Sequence, residues 1–288
     1  MKKNIFVIAG VLLLGLMGCS MGLGKVVYNG DSDNVQTMPA NAITKNIPVN
    51  GNITRLSSYT VVDIKVIEGG TPSITIKGSA SDLEKIRVTA SNGLIDVRGI
   101  KGHISRKVEL TVKGIALSKI NLYGSGNLTA DKLNGHNINC NLVGAGDIKI
   151  GQLSSQGAEF ILSGAGDISI DNVAANSFYI SLSGAGDVNV GKVSTNTFNA
   201  VISGVGDINV DKIDAVTVTG SLPGAGDMTL DKIKCTTCKG SVAGVGTLKI
   251  SGECNTGTFS VSGTGTLDAS QMKGMSISKS VSGVGKIK

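Results

Sequence analysis

The stretch "ISLSGAGDVNV", from Ile180 to Val190, decides the fold, because near-copies of it recur along the chain at intervals of about twenty residues. The first glycine of each copy stands at position 124, 144, 164, 184, 204, 224, 244, 263 or 283. Repeats of this length cannot bury an apolar face alone, and they do so by stacking on their neighbours. The sequence therefore predicts a stack of similar coils.

Apolar and polar residues alternate on both sides of each glycine, which is the pattern of strands with one buried face. Two residues before the glycine, the side chain is always aliphatic, as at Leu142, Leu162 and Leu182. Aliphatic residues also occupy the positions four and six residues after it, as at Ile168 and Ile170. We therefore predict an all-β protein, a right-handed parallel β-helix (a three-sided β-solenoid) with coils of about 20 residues. The leucine-rich repeat shares the period, but its L-x-x-L-x-L-x-x-N pattern is absent.

Each glycine pair is expected to form a corner between two sides of a coil. We expect the glycines to supply backbone angles that other residues reach only at a cost, and the residue between them to point inward. A short carboxylate after the corner can accept hydrogen bonds from nearby backbone N–H groups. The aspartates at this position form a predicted ladder of corner caps: Asp147, Asp167, Asp187, Asp207 and Asp227. A bound Ca²⁺ is the alternative, but the calcium-binding nonapeptide motif is absent, and we predict no metal site.

The first residues have the pattern of an export signal. Lys2 and Lys3 precede an apolar run from Ile5 to Met17, which is too short to span a membrane as a helix. The following "LMGCS" resembles the bacterial lipobox, so we expect residues 1–18 to be a lipoprotein signal peptide and Cys19 to be lipidated. Ser20 favours the outer membrane over the inner one. The predicted location is the cell envelope, with the membrane as a partner through the lipid anchor.

Four segments follow from these patterns: the signal peptide at 1–18, a polar tether at 19–50, a β-rich part at 51–120 and the solenoid at 121–288. In the β-rich part, Tyr59–Ile67 and Ser73–Lys77 are predicted to pair as a hairpin. Ser81 has the spacing of a helix cap before one short helical turn. Asn92-Gly93 predicts a second hairpin, because this dipeptide is the strongest short hairpin signal.

Basic residues are concentrated before the repeats. The cluster formed by Arg98, Lys101, Arg106 and Lys107 could contact an acidic envelope polymer or lipid headgroups, although solvated charges on strand faces give the same pattern. We predict no nucleic-acid partner, because the chain is exported, has no tryptophan for base stacking and shows no nucleic-acid-binding motif. The terminal coil could also pair with another chain, which leaves self-association open.

Four cysteines remain after the lipidated one. Cys235 and Cys254 each lie nine residues before the next corner glycine, so they should face each other on adjacent coils and could form a disulfide in an oxidising compartment. A local Cys235–Cys238 bridge is the rival. Cys140 has the setting of a buried apolar residue.

No catalytic residues or cofactors are predicted. Glycosidases need two carboxylates in different protonation states, and a uniform column of aspartates does not provide that difference. A polysaccharide-active enzyme of the pectate-lyase-like β-helix type remains an alternative function, and a purely structural envelope component is another. The prediction from the residues is a non-enzymatic scaffold that binds an envelope polymer or a surface protein.

Three segments ahead of and into the repeats resemble a known family. "EGGTPSITIKG" (68–78), "DLEKIRVTASNGLIDV" (82–97) and "VELTVKGIALSKINLYGSGN" (108–127), followed by the Gly-x-Gly-Asp array, are similar to the auto-transporter adhesin, head-GIN domain family. The resemblance runs from about residue 52 to the C-terminus. It implies a right-handed β-helix in an exported or lipid-anchored bacterial protein, and it brings no catalytic residues.

Overall fold

The structure, a computed structural model, describes residues 37–288. The predicted signal peptide, the lipidated Cys19 and the tether as far as residue 36 lie outside the described residues. Within residues 37–288 no helix is long and apolar enough to cross a membrane. Strands make up 65% of the described residues and helix 2%, and the strands form a β-solenoid of about 8 turns, which confirms the predicted fold class.

The N-terminal part contains short strands and one helical turn. Their bounds are β1 Ile43–Ile47, β2 Arg55–Ser58, β3 Asp63–Ile67, β4 Ser73–Gly78, α1 Ala80–Leu83, β5 Ile86–Ser91, β6 Leu94–Gly99, β7 Glu109–Lys113 and β8 Lys119–Leu122. Strands β6, β2 and β8 pair in parallel and lead into the first long strand, so the stack already begins here. Strand β1 pairs antiparallel with β4, which also pairs antiparallel with β7.

Two local predictions in this part are corrected. Strands β3 and β4 do not form a hairpin, because β7 pairs with both of them. The helical turn is capped by Ser79 and not by Ser81: the Ser79 side chain accepts the N–H of Asp82 at 3.1 Å. The hairpin between β5 and β6 is confirmed, and both residues of its turn, Asn92 and Gly93, have positive φ.

The repeats fold as one coil each. Their strands are β9 Leu128–Leu142, β10 Ile148–Leu162, β11 Ile168–Leu182, β12 Val188–Ile202, β13 Ile208–Leu222, β14 Met228–Val242, β15 Thr247–Val261, β16 Thr266–Val281 and the short β17 Lys286–Ile287. Each strand pairs in parallel with the next at an offset of one repeat, for example Ile148 with Ile168. Between β10 and β11 the pairing skips Gly151 and Gln156, which divides the coil into three sides.

The core runs along the axis of the stack. Residues that the sequence places inward are buried as far as β15, whereas Ile277 and Val281 of the last coil are exposed. Phe160, Phe178 and Phe198 pack in succession with ring centroids 6.0 and 5.7 Å apart. Edge-to-face and tilted ring pairs of this kind stabilise a core beyond the area that they bury. The aliphatic columns and the phenylalanine stack together hold the coils in register.

Close approach of successive coils explains the corner glycines. None of those in the repeats has a φ in the left-handed region, so the expected backbone role is wrong. A Cβ on Gly144 would instead lie 1.8 Å from the carbonyl oxygen of Gly124, which is far inside van der Waals contact. The expected inward methyl is also wrong, since Ala145 is exposed and Gly146 is the buried residue of that corner.

Candidate binding surface

The corner aspartates lie in one column, and their carboxylates join neighbouring coils. Each carboxylate accepts the backbone N–H of the equivalent residue one coil later: the Asp187 amide donates to Asp167 Oδ1 at 2.8 Å and the Asp207 amide donates to Asp187 Oδ1 at 2.9 Å. The same contact continues at both ends, with Asn127 as the acceptor for Asp147 and Asp227 as the acceptor for Thr247. One oxygen of every corner aspartate is therefore occupied by the backbone.

The column begins earlier than the repeats. Asp63 Oδ1, in the N-terminal part, accepts the N–H of Asn127 at 3.0 Å, so it occupies the first position of the same series. The sequence pattern missed Asp63 because no Gly-x-Gly pair precedes it. Among the described residues, no group of three or more histidine, cysteine or acidic side chains could hold a metal ion.

The predicted basic cluster is divided between paired and free side chains. Arg98 Nε donates to Asp96 Oδ2 at 2.7 Å, a bond that raises the pKa of the guanidinium. Lys107 Nζ lies 3.2 Å from Asp63 Oδ2. Lys101 and Arg106 are exposed and make no ion pair with any residue from 37 to 288. Two of the four predicted contacts are thus engaged within the protein, and two are directed to solvent.

Three of the four cysteines in the described residues lie close together: Cys235, Cys238 and Cys254. Cys235 and Cys254 are partners on the adjacent strands β14 and β15. Interaction between the Cys235 and Cys238 thiols lowers the pKa of Cys235 and raises the pKa of Cys238, while burial raises the pKa of Cys254. All are thiols in the structure, and the disulfide stays a prediction. Cys140 lies apart from them, and burial raises its pKa to about 12.

A groove on one side of the coils escaped the sequence analysis. It follows the stack axis across β9 to β12 and has a volume of about 400 Å³. Two columns of exposed side chains line it: Lys132, Gln152, Asn172 and Lys192 on one edge, and Asn134, Ser154, Ala174 and Ser194 on the other. These columns are formed by the residues eight and ten positions after the first corner glycine. An alignment of the repeats could therefore have identified them.

The groove continues toward the N-terminal part. Lys132 and Asn134 also line a second cavity of about 250 Å³, together with residues of β3 and of the segment between β7 and β8. There the Asn134 side chain donates to the Glu68 carboxylate. The two cavities therefore form one path, with a lysine at each end of its wider section.

The fold defines the class of protein as a β-solenoid, and the comparisons give its family. The model of the family described as "Putative auto-transporter adhesin, head GIN domain" matches residues 52–224 and 211–288. The chain belongs to this family. No curated protein matches it.

Solved structures of low sequence identity share the fold. A "putative lipid binding protein" from Parabacteroides distasonis is 18% identical, with 86% of this chain and 96% of that chain covered and a TM-score of 0.58. A "putative adhesin" from Parabacteroides merdae is 14% identical, with 87% and 96% covered and a TM-score of 0.57. A "putative adhesin" from Bacteroides fragilis is 20% identical, with 87% and 97% covered and a TM-score of 0.52.

Proposed function

We propose that the protein is a non-enzymatic, lipid-anchored protein of the cell envelope that binds an extended acidic polymer along its solenoid. The groove across β9 to β12 is the observation that carries this proposal. Its lining of amide, hydroxyl and ammonium groups can donate hydrogen bonds to hydroxyls and carboxylates. Polysaccharides with uronic acids present both groups.

The regular spacing of the groove favours a polymer over a small molecule. Equivalent side chains on successive coils are about 4.8 Å apart, which is the separation of paired strands. A polymer that repeats one chemical group along its length can therefore make the same contact on several coils. Lys132 and Lys192, three coils apart, would neutralise carboxylates at the two ends of the wider section.

Three further observations support the position and role of the protein. The basic residues before an apolar run and the lipobox-like "LMGCS" support a lipid anchor at Cys19 and an outer-membrane location. The adhesin names of the family and of two solved relatives support a binding role at the cell surface. The engagement of each corner carboxylate by a backbone N–H supports a structural role for the column and not the unequal acid and base of a glycosidase.

Binding of polygalacturonate tests this proposal. The soluble chain from residue 20 onward should slow in a gel that contains polygalacturonate and should not slow in one that contains neutral dextran. A double variant, Lys132→Gln with Lys192→Gln, should weaken the retardation at least tenfold, because exposed charges near a polyanion contribute about 1 kcal/mol each.

The matched control exchanges two lysines on another side of the coils. Lys149 and Lys249 are also exposed and five coils apart, and they lie outside the groove. Lys149→Gln with Lys249→Gln removes the same charge and should retain most of the binding. Equal losses of polymer binding in the two double variants would show that binding depends on the net charge of the protein and not on the groove. Release of unsaturated or reducing ends from the polymer would support the enzyme alternative.

The protein could also self-associate through its last coil. The second half of β16 is exposed, and β17 pairs only with its first two residues, Thr266 and Leu267. Met275 and Val284 are 89% and 85% exposed there. Sedimentation velocity should show a concentration-dependent dimer that Ile277→Lys abolishes, since a charge on an edge strand opposes pairing.

A further inference from the structure

An exposed apolar corner lies at the N-terminal end of the stack, away from the groove. Five large apolar side chains meet there, and each is 44–45% exposed. Monomeric proteins seldom present large contiguous apolar patches that support no interaction. We call this patch the aromatic corner: Tyr59, Val61, Ile100, Tyr123 and Val143.

Strand register assembles the aromatic corner from four segments. Ser58 of β2 pairs with Val97 of β6 and with Leu122 of β8. The residues that follow these three, Tyr59, Arg98 and Tyr123, therefore form a column at the corner. The tyrosine rings stack with centroids 4.7 Å apart and an interplanar angle of 7°, and the Arg98 guanidinium lies 4.5 Å from the Tyr59 centroid. The stack holds the side chains in place before any partner arrives.

A rim of positive charge surrounds the aromatic corner. Lys101 directly follows Ile100, and Lys107 is bound to Asp63, two residues after Val61. With Arg98 and Arg106 the rim has four basic side chains, of which Arg98 pairs with Asp96 and Lys107 with Asp63, so these six residues carry a net charge of +2. The rim is the basic cluster that the sequence indicates, so the structure joins that cluster to an apolar surface.

We propose that the aromatic corner docks on a bilayer surface that contains anionic lipids, with the tyrosines and aliphatic side chains among the headgroups and the basic rim on lipid phosphates. Tyrosine, with an apolar body and a polar tip, is enriched at membrane interfaces. Each lysine or arginine near an anionic bilayer adds attraction that salt screens. This docking is a second contact with the membrane and does not depend on the polymer groove.

The shape of the aromatic corner favours a bilayer over other partners. Sugars bind aromatic residues by stacking on a free ring face, and here three of the four tyrosine faces are directed to the other ring or to Arg98, which leaves one face of Tyr123. A protein partner would need a groove complementary to a convex ridge. A bilayer surface adapts to a convex apolar ridge and offers phosphates around it, as it does for interfacial segments with basic and apolar residues.

Vesicle co-sedimentation of the chain from residue 20 onward, which has no lipid anchor, tests the proposal. The protein should bind vesicles of phosphatidylcholine with phosphatidylglycerol, and binding should fall steeply with salt and be weak on phosphatidylcholine alone. Lys101→Gln with Arg106→Gln should lower the partition coefficient at least tenfold, since each basic residue near the surface contributes about fivefold. Neither residue pairs with an acidic side chain in the part of the chain that the structure describes.

A matched pair of apolar variants separates docking from general surface hydrophobicity. Val61→Ser with Ile100→Ser should lower the partition coefficient about tenfold, because insertion scales with the apolar area buried. Val205 and Val245 occupy the same corner position as Val61 on later coils and are 64% and 65% exposed. Their conversion to serine should leave binding unchanged.

The proposal would be wrong if the protein did not bind anionic vesicles, or if the Val205 and Val245 changes weakened binding as much as the Val61 and Ile100 changes. It would also be wrong if soluble polygalacturonate displaced the protein from vesicles and the Val61 and Ile100 changes prevented that displacement. This last result would assign the aromatic corner to a polymer. Because Lys132 and Lys192 lie outside this surface, loss of polymer binding in their variant leaves the vesicle result unaffected.

Discussion

Replacing Gly184 by alanine tests whether close approach of successive coils requires glycine at the corners. The added Cβ would lie 2.0 Å from the Gly164 carbonyl oxygen, whereas ordinary contacts begin at 3.4 Å, so the two coils must separate locally by about 1 Å or more. That oxygen accepts the N–H of Ala185 at 3.0 Å, and the separation weakens this hydrogen bond as well.

The expected loss of stability follows from three contributions. Overpacking costs about 1–3 kcal/mol and a lost backbone hydrogen bond about 1 kcal/mol. The reduced freedom of the unfolded chain returns about 0.5 kcal/mol. The free energy of unfolding should therefore fall by about 1.5–3.5 kcal/mol. For a chain of this size the melting temperature should fall by about 5–10 °C.

Thermal unfolding followed by circular dichroism in the β-sheet region measures this loss. Ala185→Ser, at the exposed neighbouring position, is the matched control and should melt within about 2 °C of the wild type. If Gly184→Ala also melted within about 2 °C of the wild type, the coils would not approach as closely as the structure shows, and the explanation of the glycine pairs would be wrong.

Three other predictions concern single side chains. Asp187→Ala should lower the free energy of unfolding by about 1 kcal/mol, because the Asp207 N–H loses its acceptor. Asp187→Asn keeps an acceptor for this N–H and should cost less. Added Ca²⁺ should not change the melting temperature of either variant. Burial favours the neutral form of Asp82, but hydrogen bonds from Lys85, the Ser105 N–H and Ser79 outweigh it and lower the pKa to about 2. This carboxylate therefore contributes about 2 kcal/mol of stability above the ordinary pKa of 3.8, and that contribution should be lost as the pH falls toward 2. The Asp82→Asn variant should not show this acid-dependent loss. Peptide mapping without reductant should recover Cys235 linked to Cys254, and a free Cys254 thiol would contradict the cross-coil disulfide.

The repeat array could be predicted from the sequence because its two periods are explicit in the letters. Alternation with period two identifies the inward residues, such as Leu162 and Ile168, and the twenty-residue step identifies the partner of each residue on the next coil. In such a stack the contacts between one pair of coils recur between the next pair. The column of corner aspartates follows from the same two-residue alternation and twenty-residue step.

The N-terminal part lacks a repeat, so its pairing could not be derived in the same way. Strand β4 pairs with β7, some thirty residues later, although adjacency along the chain favoured β3. The column of Arg98, Tyr59 and Tyr123 likewise depends on the order of β6, β2 and β8 in space. Contacts between distant segments are set by the packing of the whole, and local patterns do not contain them.

The glycine pairs show a different limit. Their positions were evident, but their physical role was not, because a glycine can serve either an unusual φ or a close approach. The distance from Gly144 to the preceding coil decides for close approach. Ala145 is exposed for the same reason, since the face of the corner toward the axis is occupied by Gly146.

Scalar couplings across hydrogen bonds, measured by NMR on deuterated protein, test the in-register stacking of coils most directly. In-register stacking predicts a coupling between the amide nitrogen of the residue between two corner glycines and the carbonyl carbon twenty-one residues earlier, as for Ala165 with Gly144, Ala185 with Gly164 and Ala225 with Gly204. Couplings from these amides to carbonyls at unequal separations, or only to carbonyls within the same repeat, would contradict it.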